Sequence, residues 1–381
     1  MTLTDIPTPA YVVEEELLRR NLSLISRTAE AAGVEIILAF KAFALWKSFP
    51  IVREYISGCT ASSLSEAEMG NRYMGTLTHT YAPVYLPGEF EAIMERSSHI
   101  TFNSLSQYEK YYPIIREKAP HPISCGLRIN PEYGEVEVDL YNPASPNSRL
   151  GVTPANLPAQ LPEGIEGLHF HTLCENDSYT LERTLAVVEE KFGKHLDQVK
   201  WINMGGGHLI TREGYDTVHL VSLLKGFKRR HPHLHVIMEP GAAFAWRTGT
   251  LVTEVLDVVE SGGVKTLMID ASFTCHMPDT LEMPYQPEVR GAATRRDGVH
   301  TLPYRIGGNS CLSGDFIGDW YFQTPPKIGD RIVFEDMIHY TTVKTTMFNG
   351  VSHPSIWMHH LDDSWECYRE YSCEDYLSRM C

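Results

Sequence analysis

The sequence predicts an α/β plus β architecture: a (β/α)₈ barrel of the TIM type followed by a C-terminal antiparallel β domain. Three observations carry this reading. Eight short apolar runs alternate with amphipathic stretches over about 220 residues, the order that a parallel barrel requires. Beyond about residue 246 the chain becomes β-rich, with Gly and Pro turns and no long helix before the acidic C-terminal tail. The 381 residues are too many for one 100-residue domain and fit a barrel with an addition.

The candidate barrel strands are Glu35–Lys41, Cys59–Ser63, Thr80–Tyr85, His99–Asn103, Ser124–Asn130, Gly164–Thr172, Lys200–Met204 and His235–Glu239. Helical patterns lie between most of them, at Leu17–Ala32, Trp46–Ile56, Leu64–Met74, Glu89–Arg96, Leu105–Lys118, Tyr179–Lys194 and Tyr215–Arg230. Their apolar residues recur every three or four positions, as in Leu181, Leu185, Val188 and Phe192. An open doubly wound sheet is the alternative, but the first strand lacks a GxGxxG turn. One connection, Pro131–Pro162, is rich in Pro, Asn and Ser and reads as a long ordered loop of the kind that often carries function. The β domain is expected from strands at Thr250–Val258, Val264–Asp270, His300–Ile306, Arg331–Phe334 and Tyr340–Met347. The expected division is residues 1–15 as an N-terminal strand joining the β domain, 16–248 as the barrel and 249–381 as the β domain.

The chain has 33 Lys plus Arg against 48 Asp plus Glu, a net charge of −15. Such a balance repels nucleic acid and anionic membrane surfaces, and it suits a cationic small molecule as well as it suits mere solubility. The eight cysteines form no CxxC pair, so no disulfide framework or zinc site is expected. The N-terminal residues have no signal-peptide pattern, and no apolar window is long enough for a membrane span. A cytoplasmic protein is expected.

Four features stand at the C-terminal ends of predicted strands, where barrel enzymes place their chemistry. Lys41, beside Phe40, Ala42 and Phe43, would be desolvated and therefore nucleophilic. His169 and His171 form an HxH pair with a possible metal reading, against which a stacking or packing role stands. Gly205-Gly206-Gly207 can converge backbone N–H groups on an anion such as a phosphate. Glu239 puts a carboxylate at the rim of the last strand. Singly, each has a plainer reading: a snorkelling lysine, a core histidine, a flexible turn, a surface acid. Together they supply an amine for an imine, a stacking partner, a phosphate cradle and a carboxylate for a ring nitrogen, the complement of pyridoxal 5′-phosphate.

The ordered motifs resemble a known family. TPAYVVEEELLRRNL (8–22), AFKAFA (39–44), ASSLSEAEMG (61–70), SRLG (148–151), HFHTLCEND (169–177), NMGGGH (203–208), EPGAAFAW (239–246), GGNSCLSGDFIGD (307–319) and HYTTVKTTMFNG (339–350) are similar to those of the fold type III pyridoxal-phosphate decarboxylases related to alanine racemase. Within that family they resemble the carboxynorspermidine (carboxyspermidine) decarboxylases most. The resemblance implies that Lys41 is the Schiff-base lysine and His171 the ring-stacking histidine. It implies that Gly206, Gly207, Gly241 and Tyr340 bind the phosphate, and that Glu239 pairs with the pyridine nitrogen. Cys311 and Asp315 would reach across a homodimer interface into the neighbouring site, with Cys311 as the candidate proton donor. Asp270, Asp279 and Glu282 fall where the family has its substrate loop, and Arg149 is a candidate for a carboxylate or for the cofactor phenol. The implied reaction is decarboxylation of carboxynorspermidine or carboxyspermidine in polyamine biosynthesis.

Two departures bear on the branch. Ala242 stands where ornithine and diaminopimelate decarboxylases carry an arginine, and HTLCEN replaces their HVGSG-like segment. Both favour the carboxynorspermidine branch over a diaminopimelate or other basic amino-acid decarboxylase. An amino-acid racemase would need a second base that no motif here matches. A non-enzymatic cofactor carrier would not need the β domain.

Overall fold

Eight parallel strands close on themselves to make a barrel. The structure is a computed structural model and describes residues 2–136 and 138–381. Its strands are Glu35–Ile36 with Leu38–Ala39, Cys59–Ala61, Thr78–Tyr81, Ser97–Phe102, Ser124–Arg128, Ile165–His169, Trp201–Asn203 and His235–Met238, all paired in parallel. The first strand breaks at Ile37: its first half pairs with the last strand and its second half with Cys59–Ala61, so the break is the point of closure. All eight predicted strands are present, most of them shorter than the apolar runs that announced them.

The helices follow from their sequence in the same way. Asp177 caps Ser178–Leu196 by accepting from the Thr180 N–H at 2.9 Å, and Leu181, Leu185, Val188 and Phe192 form its buried stripe. Ser104 caps Leu105–Lys118 through the Gln107 N–H. The stretch predicted as Trp46–Ile56 shrinks to a 3₁₀ turn, Trp46–Ser48, and a four-residue helix, Phe49–Val52, with Pro50 in its first turn. Inside the barrel, Trp201 lies against Gly126 of the strand Ser124–Arg128 and Gly167 of the strand Ile165–His169. A Cβ added at Gly167 would fall inside 3.0 Å of the indole carbons, and Trp201 Nε1 donates to Ser124 Oγ at 2.8 Å.

The chain divides into two units, Asn21–Phe244 with the barrel, and Met1–Arg20 with Ala245–Cys381. The second unit holds a nine-stranded sheet built around the 13-residue strand Gly249–Ser261. That strand pairs antiparallel with Val264–Ile269, with Arg331–Glu335 and with the N-terminal strand Ala10–Glu14. The sheet is mixed rather than purely antiparallel: Ala10–Glu14 runs parallel to Ser355–His359, and Val264–Ile269 parallel to Leu302–Gly307. The strand expected at Tyr340–Met347 does not form. Tyr340 has φ +43°, and its carbonyl accepts from Val343 and Lys344 at 3.1 and 3.0 Å, so a 3₁₀ turn at Thr341–Val343 replaces an extended ladder.

Candidate active site

The four strand-end features predicted from sequence meet at one end of the barrel. Lys41 lies two residues past Ala39, His169 ends its strand and His171 follows two residues later. Gly205-Gly206-Gly207 follow Trp201–Asn203, and Glu239 follows Met238. Lys41 Nζ lies 3.3 Å from His171 Nε2.

One backbone hydrogen bond determines the state of that pair. The Gly206 N–H donates to His171 Nδ1 at 2.8 Å, so Nδ1 carries a lone pair and the neutral ring carries its hydrogen on Nε2. Nε2–H then faces Lys41 Nζ, which can accept only as an uncharged amine. Electrostatics point the same way. Burial holds Lys41 below its ordinary value, and Arg128 adds to this while Glu239 and Glu66 oppose it. Burial, with the Arg128 charge adding to it, keeps His171 well below the ordinary histidine range.

Glu239 is held as the opposite kind of group. Burial alone would raise its pKa, but hydrogen bonds from His169 and Asn203 oppose burial and hold the carboxyl below its ordinary value. His169 Nε2 stands 3.0 Å from Oε1, and Asn203 Nδ2 donates to Oε2 at 3.2 Å. His169 is itself kept neutral by burial: its Nδ1 is buried with no partner among the described residues, so no acceptor exists for a second ring hydrogen. The two histidines therefore diverge to different partners. Among the described residues no cluster of three His, Cys, Asp or Glu is arranged to hold a metal ion.

Sequence reasoning missed two residues here. Arg128 ends its strand, is buried, donates Nη2 to the His171 carbonyl at 3.0 Å and lies 4.8 Å over the Tyr81 ring. The signal was an arginine inside the apolar run SCGLRIN. Glu66 accepts from the Ser62 N–H at 2.6 Å, just ahead of the helix Leu64–Met69. It also lies near Lys41, and burial raises its pKa.

The other predicted residues are distributed as follows. Arg149 is exposed, and its carbonyl is tied to Asn103 Nδ2 at 2.9 Å. The Gly151 N–H and the Tyr81 hydroxyl both donate to Asn103 Oδ1, which anchors the SRLG loop. Gly241 immediately precedes the short helix Ala242–Ala245. In the β unit, one segment, 339–350, is the common neighbour of three predicted residues. Thr341 donates to Asp279 Oδ2 at 3.3 Å, Lys344 pairs with Glu282, and Asn349 Oδ1 accepts from the Cys311 N–H at 2.8 Å. Tyr340 belongs to the same segment. Asp279 is buried, with Oδ1 unpartnered among the described residues and its pKa raised by burial. Asp315 uses both oxygens within its unit, on the N–H groups of Thr274 and Ser310 and on the Ser310 hydroxyl. Asp270 accepts from the Glu254 N–H at 2.9 Å in the sheet.

This donor set fits pyridoxal phosphate: an uncharged lysine amine beside a neutral histidine, an ionised buried carboxylate, and a glycine turn that no side chain can enter. At Gly207, with φ +84°, an added Cβ would lie inside 3.0 Å of the Leu173 carbonyl and 2.8 Å from the Cys174 nitrogen.

Comparison with known proteins points to the same group. The family model described as "Pyridoxal-dependent decarboxylase, C-terminal sheet domain" matches residues 10–338. The carboxyaminopropylagmatine decarboxylase of Synechocystis sp. is 48% identical over 378 residues, covering 99% of this chain and 96% of that protein. The carboxynorspermidine/carboxyspermidine decarboxylase of Campylobacter jejuni is 42% identical, with 98% of each chain covered. The crystal structure of carboxynorspermidine decarboxylase complexed with norspermidine from Campylobacter jejuni superposes with a TM-score of 0.89 at 40% identity, covering 98% of this chain and all of that one. The Escherichia coli diaminopimelate decarboxylase is 25% identical over 59% of either chain. With the barrel and mixed sheet, an uncharged Lys41 opposite an ionised Glu239 and near full-length relatives at 42–48% identity, the chain belongs to the pyridoxal-dependent decarboxylases and is a carboxy-lyase.

Proposed function

We propose that the protein decarboxylates a carboxylated polyamine, carboxynorspermidine, carboxyspermidine or both, to norspermidine or spermidine in polyamine biosynthesis. The observation that carries this reading is the hydrogen-bond chain from Gly206 through His171 to an uncharged Lys41. It is supported by the near full-length 42% identity to a Campylobacter jejuni relative named for those substrates. When bound, pyridoxal phosphate supplies an aldehyde that condenses with primary amines and a protonated ring that accepts the electron pair left by departing carbon dioxide. Lys41 would hold the cofactor aldehyde through its uncharged amine. Glu239 keeps a negative charge for the ring nitrogen, and His171 supplies a stacking face. Gly207 and Gly241, with Tyr340, would take the phosphate, whereas the Gly206 N–H expected there is committed to His171; Arg149 would take a carboxylate or the cofactor phenol.

The cationic tail needs carboxylates, and Asp279, Glu282, Asp270 and Asp315 are the candidates; Asp270 and Asp315 are the weaker ones, because their carboxylates serve backbone N–H groups of their own unit. The protein works as a homodimer in the cytoplasm, and Cys311 of the partner subunit returns a proton to the α-carbon. Among the described residues no helix is long and apolar enough to cross a membrane.

A second reading, carboxyaminopropylagmatine, is favoured by the 48% identical Synechocystis relative. That substrate ends in a guanidinium, which binds carboxylates through a planar fork rather than as a point charge. Carbon dioxide release is to be measured across carboxynorspermidine, carboxyspermidine, carboxyaminopropylagmatine, diaminopimelate and ornithine. The primary reading expects turnover of the first two. Preference for the third transfers the assignment to the guanidinium-ended substrate. Release only from diaminopimelate or ornithine overturns both readings. For the shared site, mixing Lys41→Ala with Cys311→Ala protein should restore part of the activity; no recovery after demonstrated subunit exchange contradicts it.

A further inference from the structure

We propose that His169 is a positioning residue for the cofactor ring: its Nε2–H fixes the carboxylate of Glu239 in orientation and keeps the proton off it. The inference rests on Glu239 serving the pyridine nitrogen.

Glu239 is 6% exposed, so water cannot solvate its charge. Each oxygen has one protein donor instead, His169 on Oε1 and Asn203 on Oε2. The His169 ring is 1% exposed and packs against Tyr81 at 5.3 Å between centroids, and Arg128 covers Tyr81. With Nδ1 lacking an acceptor among the described residues, the ring has one hydrogen to give, and it is directed at Glu239. The ionisable groups facing this pair are Lys41, Arg128, His171, Tyr81 and His79. Lys41 is uncharged on the tautomer argument, and Arg128 is turned to the His171 carbonyl. His79 lines the same small cavity as Glu239, His169 and Asn203 and is held neutral mainly by burial. None of these replaces the donor on Oε1. If it is removed, the buried carboxylate should take up a proton about one to two pH units higher.

The test uses cofactor-loaded His169→Leu, which has no donor, and His169→Gln, which keeps an N–H. The visible absorbance is titrated with pH, and the cofactor dissociation constant is measured alongside. The Leu variant should show its acid-side spectral change raised by about one to two pH units and weaker cofactor binding. The Gln variant should titrate close to the wild type. A Leu variant that titrates like the wild type, or a Gln variant displaced as far as Leu, overturns the proposal. Failure of the wild type itself to show the absorbance would instead overturn the cofactor reading, and this inference with it. If the Leu variant does not fold, nitrogen NMR of the wild type decides, with the His169 signals assigned through the Gln variant. A neutral ring with hydrogen on Nε2 from pH 5 to 9 supports the proposal, and a protonated ring or an Nδ1–H tautomer contradicts it.

Discussion

Gly207→Ala separates steric from conformational cost at the glycine turn, because the chain contains its own control. Gly207 has φ +84° and Gly214 has φ +78°, both in the left-handed region. A Cβ at Gly214 would meet nothing within 4 Å, so alanine there costs only the left-handed backbone, about 1–2 kcal/mol. At Gly207 the same Cβ would overlap the Leu173 carbonyl and the Cys174 nitrogen, which must retreat by roughly 1 Å to reach ordinary contact. The Asn176 N–H to Gly207 carbonyl bond of 2.9 Å ties these two segments together and resists that shift. Overpacking adds about 1–3 kcal/mol, so Gly207→Ala should lose about 2–5 kcal/mol in total. Urea unfolding of the cofactor-free proteins measures both costs, and cofactor affinity should fall in Gly207→Ala alone. Equal destabilisation of the two variants, or unchanged cofactor affinity in Gly207→Ala, would refute the reasoning.

Three further outcomes are expected. Gly167→Ala should displace the Trp201 indole and break its bond to Ser124, costing about 2–4 kcal/mol in urea unfolding. Trp201→Phe should cost less in that background than in the wild type, and simple additivity would contradict the contact. Glu239 has a pKa held below 4.5 by its hydrogen bonds from His169 and Asn203, so its stabilising effect is complete above 4.5 and is lost as the pH falls through the lower folded value. The stability difference between wild type and Glu239→Gln, in cofactor-free protein, should therefore shrink by about 1 kcal/mol between pH 7 and pH 4, and a constant difference would contradict it. Asn103→Ala should release the SRLG loop, read as faster proteolysis within residues 131–162; an unchanged cleavage rate would show that the loop does not depend on Asn103.

The barrel was legible because its strands are buried on both faces and read as apolar runs, while the helices between them repeat every three or four residues. Lys41, His171 and Glu239 were legible because each stands at a strand end, where barrel topology gathers side chains. Arg128 was not, since a lone arginine in an apolar strand looks like an interruption until His171 and Tyr81 are seen around it. Glu66 was hidden by its place in the first turn of a helix. Tyr340–Met347 reads as a strand in composition, with Tyr, Val and four Thr, but the positive φ at Tyr340 and the 3₁₀ turn that follows it replace the ladder. Phe316–Phe322 does not read as a strand, because Gly318 and Asp319 interrupt its apolar pattern, although Trp320 within it is fully buried. The tail-binding acids were the least legible. Whether a carboxylate is committed to its own backbone, as in Asp315, or left with an unpartnered oxygen, as in Asp279, depends on contacts far apart in sequence.

The central claim is that Lys41 holds the cofactor because a hydrogen bond from Gly206 leaves its amine uncharged. The most direct measurement is borohydride reduction of the cofactor-loaded protein followed by peptide mass spectrometry. The account predicts a single cofactor-bearing peptide containing Lys41, with the label and the visible absorbance both lost in Lys41→Ala. A label on any other lysine, or an unchanged spectrum in Lys41→Ala, would contradict it.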